Sequence, residues 1–157
     1  MPRLILFVPC EKPLIGADNS LSLINVLQSI TLIPASDEAK EAGTPVSPWH
    51  IVAMWMREAG DDSEGVRFQQ RVTMTGADGR VLLQTLTEFA MPKLYHRNMG
   101  RIEGFPVLPE GEYTLAVSVK NVNDTEWIEK GTYPIRINPH RSLEHKSTTP
   151  PSKLATH

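Results

Sequence analysis

The sequence predicts an all-β protein, a two-sheet immunoglobulin-like β-sandwich of seven to nine strands. Three observations predict it. Pro109-Glu110-Gly111-Glu112-Tyr113 runs straight into Thr114-Leu115-Ala116-Val117-Ser118-Val119. That is the pattern of a tyrosine corner, in which the ring packs at the edge of a sandwich and the hydroxyl bonds to backbone just upstream. Apolar residues recur with a period of two in segment after segment, and Gly, Pro, Asn and Asp clusters separate these segments at intervals of about ten residues. A lipocalin-like barrel would use similar strands, but the proline-containing loop at 34–48 and the corner favour the sandwich.

Arg3-Leu4-Ile5-Leu6-Phe7-Val8 reads as a strand stopped by Pro9, and Ala17-Asp18-Asn19-Ser20 as a turn. Residues 21–33 form one long β-prone stretch, bent or bulged around Leu27 and Gln28; a helix fits only its first half, because the second half alternates. Ala35 to Ala42 has the composition of two helical turns with Ser36 as N-cap, before Gly43, Pro45 and Pro48 break the pattern. Trp49 to Met56 is apolar on nearly both faces, as expected of a central strand with Trp49 and Trp55 turned into the core.

Gly60 to Gly65 reads as an exposed turn before a hairpin. In that hairpin Val66, Phe68, Val72 and Met74 share one face with Gln70 interrupting, Gly76-Ala77-Asp78-Gly79-Arg80 makes the reversal, and Val81, Leu83 and Phe89 return on one face. A short strand is expected around 100–105. After the corner, Leu115, Val117 and Val119 should face inward. The last strand, 127–137, turns Tyr133, Ile135 and Ile137 inward, and Pro134 within it calls for an edge or a bulge. The sandwich therefore occupies residues 1–138, and the Pro-, Ser-, Thr-, Lys- and His-rich segment 139–157 reads as a flexible tail.

Sixteen basic against eighteen acidic residues give a formal charge of −2, which leaves no global field to attract nucleic acid or an acidic membrane. Cys10 is the single cysteine, so neither an intrachain disulfide nor a four-thiolate zinc site can form. The apolar run from Leu4 to Val8 is too short for a secretory or membrane-spanning segment, and the expectation is a soluble cytoplasmic protein.

Candidate chemistry gathers at 95–103. Tyr95, His96, Arg97, Arg101 and Glu103 form a polar cluster that is the candidate binding surface, and His96 with Glu88 and Glu103 is the nearest approach to an acid–base set. No spacing fixes those groups around a cleft, so no catalytic residue is assigned. His50, His96, His140, His145 and His157 are scattered, no cysteine–histidine set has metal spacing, and no metal or cofactor is expected. Asp61-Asp62-Ser63-Glu64 and Asp78 supply oxygen ligands without the order of a calcium loop. Glycine-rich phosphate loops and the GxSxG elbow are not found in the sequence.

Phe7-Val8-Pro9-Cys10-Glu11, followed by Ser20-Leu21-Ser22-Leu23-Ile24, resembles a group of small bacterial domains of unknown function, in which a cysteine–acid pair precedes a SLIG-like strand. Asn25 stands where that pattern has glycine. Trp49 to Trp55, Asp78-Gly79 and Gly111-Glu112-Tyr113 extend the resemblance over roughly residues 3–138. It implies a β-sandwich and supplies no catalytic residue. Two functional expectations remain: a noncatalytic structural or protein-interaction module that binds a protein partner or itself through its sheets, and a small-molecule binder or enzyme with a polar pocket near 95–103.

Overall fold

The computed structural model describes residues 1–32, 48–104 and 109–139. Within them lie nine strands: β1 (Arg3–Ile15), β2 (Leu21–Val26), β3 (Ser29–Leu32), β4 (Trp49–Met56), β5 (Phe68–Thr75), β6 (Val81–Phe89), β7 (Tyr95–Ile102), β8 (Gly111–Asn121) and β9 (Ile128–Pro139). They make a four-stranded first sheet, β2-β1-β4-β7, and a five-stranded second sheet, β3-β9-β8-β5-β6. Every neighbouring pair is antiparallel except β3 with β9. The fold is the immunoglobulin-like β-sandwich that the sequence predicts. The segment read as a short helix at 35–42 lies outside the described residues, as does the tail read at 139–157 except for Pro139, which ends β9.

Alternation places the core. On β4 the odd-numbered residues Trp49, Ile51, Ala53 and Trp55 are buried, and they face Phe68, Val72 and Met74 of β5 and Leu115, Val117 and Val119 of β8. Gln70 is the polar residue in this inner row, and it is also buried. Its Oε1 accepts hydrogen bonds from Trp55 Nε1 at 2.7 Å and from Asn98 Nδ2 at 2.9 Å, so one amide oxygen satisfies two donors of the opposite sheet. Phe89, at the end of β6, stacks on Trp55 at 5.9 Å between ring centroids and tilts against Phe68 at 5.6 Å. Gly131 admits close packing between the sheets: a Cβ there would meet Leu4 Cδ2 of the other sheet at 2.9 Å.

The tyrosine corner is present. Tyr113 is buried, and its hydroxyl donates to the Pro109 carbonyl at 2.8 Å, four residues upstream. The β5–β6 reversal also forms, with Gly79 at φ 74° and its N–H donating to the Gly76 carbonyl at 2.9 Å.

Several local expectations are corrected. Pro9 does not end β1, because its carbonyl accepts from Leu27 N–H and its backbone polar groups therefore point away from β4; the missing N–H costs no bond in the β1–β4 ladder. Residues 21–32 are two strands in different sheets rather than one bent strand. Leu27 N–H bonds to β1 in the first sheet, and the Gln28 carbonyl accepts from Arg136 N–H in the second, so these two residues carry the chain across. Val81 is 53% exposed instead of facing the core, because a bulge shifts the register so that it pairs with Thr75 on the outer face. The strand expected near 100–105 is β7, which starts earlier and ends at Ile102. Pro134 sits in a strand that β3 joins only from Arg136 onward, so its imide side faces a locally open edge. In the segment read as an exposed turn, Asp61 is buried.

Two substitutions test this frame. Tyr113→Phe keeps the ring and removes the corner hydrogen bond, and should lower unfolding free energy by about 1 kcal/mol in urea titration. Gln70→Met keeps the volume but strands two buried donors, and should cost more, on the order of 2–4 kcal/mol. Equal, negligible effects would contradict both assignments.

Candidate functional site

β7 carries four of the five candidate residues, and strand alternation divides them. His96 and Asn98 pair with Trp55 and Ala53 of β4 and so turn inward; Tyr95, Arg97 and Arg101 pair with Met56, Met54 and His50 and turn outward. His96 stacks on Phe89 with ring centroids 4.9 Å apart and an interplanar angle of 11°. Its Nε2 lies 2.8 Å from Asn98 Oδ1. Because Asn98 donates through Nδ2 to Gln70, its Oδ1 is the acceptor and His96 Nε2 carries the proton. His96 thereby extends the Trp55–Gln70–Asn98 chain to the margin of the core. Glu103 pairs with Arg101, Oε1 to Nε at 3.0 Å, with both side chains largely in solvent. The five residues do not converge on one concavity.

Sequence reasoning passed over Gln70 and Asn98 as functional groups. The available signal was an amide in an otherwise apolar inner row, since a buried amide demands partners.

The outer face of the first sheet answers the two-sided apolar pattern of β4. Val52 lies on that face and is 0% exposed, flanked by Val8 of β1 and Met99 of β7. Cys10, opposite His50, is equally buried, and burial pushes its thiol above the usual range, which disfavours the reactive thiolate. Arg97 on this face donates through Nη2 to the Asn19 carbonyl at 2.9 Å and also contacts Asn19 Oδ1. Asn19 belongs to the turn between β1 and β2, whereas Arg97 is on β7, beyond β4. Extended straight from Cys10, the hairpin would carry Asn19 away from Arg97 by about 3.3 Å per residue. The contact therefore requires the β1–β2 hairpin to fold back over the outer face.

The hairpin turn is locally fixed. Asn19 has φ 66°, its N–H donates to the Gly16 carbonyl, and Gly16 N–H donates to the Ser20 carbonyl, each at 2.9 Å. The Ser20 hydroxyl, and then its N–H, donate to the Asp18 carboxylate and hold that group below its ordinary range. Where the hairpin leaves the sheet, Glu11, Lys12, Pro13, Pro48, His50 and Arg101 line a shallow concavity, and His50 Nδ1 lies 2.9 Å from the Glu11 carbonyl. Arg101 is the one member of the candidate surface that reaches it.

The acidic loops have other partners. Asp61 Oδ1 is 2.8 Å from the Met1 amine and its Oδ2 accepts from Glu58 N–H, while Asp62 lies 3.5 Å from Arg57. Asp78 Oδ1 accepts from Arg80 N–H within the hairpin turn. Among the described residues, no group of three or more His, Cys, Asp or Glu side chains is placed to hold a metal, and no helix is long and apolar enough to cross a membrane.

No protein-family model matches the chain, and no curated protein does. Solved structures that match include the CooA pilin subunit from enterotoxigenic Escherichia coli, at 9% identity over 85% of this chain and 99% of that one, with a TM-score of 0.36.

Proposed function

We propose that this chain is a noncatalytic structural or protein-interaction module, cytoplasmic and without a cofactor, that binds a protein partner through the outer side of its first sheet. The observation that carries the reading is the distribution of exposed apolar side chains. Leu14, Ile24 and Val26, which share a face of the folded-back hairpin, and Tyr95 and Met99 on the outward side of β7, are between 39% and 54% exposed. Exposed apolar residues gathered on one side of a small domain are characteristic of surfaces that bind protein. Arg97 ties the hairpin to β7, so both parts of this surface are presented together.

The division of Tyr95, His96, Arg97, Arg101 and Glu103 between faces supports a binding role over a catalytic one, because acid–base or covalent chemistry needs groups converging on one reacting atom. A partner on this surface would meet apolar hairpin residues first, with Arg101 and Lys12 at the rim.

Affinity isolation from native cells after mild crosslinking tests the reading. The wild-type chain should retain a stoichiometric protein partner, and Ile24→Glu combined with Val26→Glu should lose it while keeping the wild-type circular dichroism spectrum. Recovery of the same proteins by both chains, or of none by either, would contradict the proposal.

A further inference from the structure

Among the described residues each sheet ends in two edge strands, and three of the four are protected. β2 is short and carries Asn25 at φ 50°, β3 has four residues, and β7 bears Arg97 and Arg101. β6 is the exception. Among the described residues it pairs on one side only, with β5. Its nine residues, Val81-Leu82-Leu83-Gln84-Thr85-Leu86-Thr87-Glu88-Phe89, contain no proline, lysine or arginine. Glu88 is the single charge, and it is paired with Arg67 at 2.9 Å. Leu86, opposite Arg71 on the outer face, is 61% exposed. A β-rich strand with free backbone donors and acceptors and almost no net charge is a template for another strand.

The order of side chains points to the occupant. We propose that β6 pairs antiparallel with β6 of a second copy about a two-fold axis at Leu86, joining the two five-stranded sheets. In that register Leu86 lies opposite its own copy, and each covers the other's exposed side chain. Thr85 faces Thr87, Gln84 faces Glu88, and Leu83 faces Phe89, twice each. Threonine pairs, an amide against a carboxylate and an aliphatic against an aromatic are all favourable cross-strand neighbours. The two Glu88 carboxylates lie on opposite sides of the axis, about 14 Å apart along the strands, so like charges do not meet. A parallel or in-register addition would instead place Glu88 beside Glu88.

The proposal shares with the interaction-module reading only the expectation of association, and it uses the other sheet. Sedimentation velocity over a concentration series should show a monomer–dimer equilibrium for the wild-type chain. Leu86→Lys, at a solvent-exposed position, should remain monomeric throughout, while Ile24→Glu with Val26→Glu should dimerise as the wild type does. The register has its own readout. Copper-phenanthroline oxidation should link Leu86→Cys into a covalent dimer, since directly opposed Cα atoms fall about 4.5–5.5 Å apart, and should leave Gln84→Cys unlinked. A wild-type chain that stays monomeric, a dimer that survives Leu86→Lys, or equal crosslinking at 84 and 86 would overturn the proposal. Loss of the dimer in the hairpin variant alone would assign association to the first sheet and overturn it as well.

Discussion

Trp55 places a polar N–H in the middle of an apolar sandwich, and much of the interior is arranged around satisfying it. A buried indole donor without an acceptor costs about 1–3 kcal/mol, a large share of the stability of a domain this size. Trp55 is fully buried, so its acceptor has to be a group of the protein interior. Gln70 supplies it, and the same oxygen takes the amide of Asn98, tying β4, β5 and β7 together at one point. Hydrophobic contact alone tolerates sliding of one sheet over the other. Two directional bonds to one atom do not, and Phe89, stacked on both Trp55 and His96, adds a second orientation-dependent contact beside them.

That constraint also shapes the outer surface. Because Asn98 and His96 are drawn inward to complete the chain of bonds, the residues between and beside them, Tyr95, Arg97 and Met99, are turned outward by alternation. Arg97 can then reach Asn19 and hold the hairpin over the first sheet. The position of the hairpin and the presentation of its apolar residues are thus linked, through β7, to the interior.

The parts of the fold legible in the sequence are those fixed by local geometry. Tyr113 lies four residues from its acceptor, Asp78-Gly79 closes its own turn, and the inward rows of β4 and β8 follow from a period of two. The parts that were not legible depend on partners distant in sequence. Pro9 is harmless because of which neighbour its carbonyl faces. Val81 turns outward because of a bulge in pairing, and Leu27-Gln28 changes sheets although its residue types would serve equally well within one strand. The cluster at 95–103 reads as a unit along the chain, but alternation divides it between two environments. Gln70 looked like an interruption of an apolar face and is instead the acceptor on which that face closes.

Hydrogen exchange of the tryptophan indole protons, followed by NMR across a denaturant series, tests the central role of Trp55 most directly. If Trp55 Nε1–H is released only when the sheets separate, its exchange should match the slowest backbone amides of β4 and β5 and show the denaturant dependence of global unfolding. The indole proton of half-buried Trp127, which lies against Arg71 and Lys120 on the outside of the second sheet, should exchange much faster. Rapid exchange at Trp55, insensitive to denaturant while the backbone of β4 stays protected, would show that the sheets do not depend on this bond and would contradict the account.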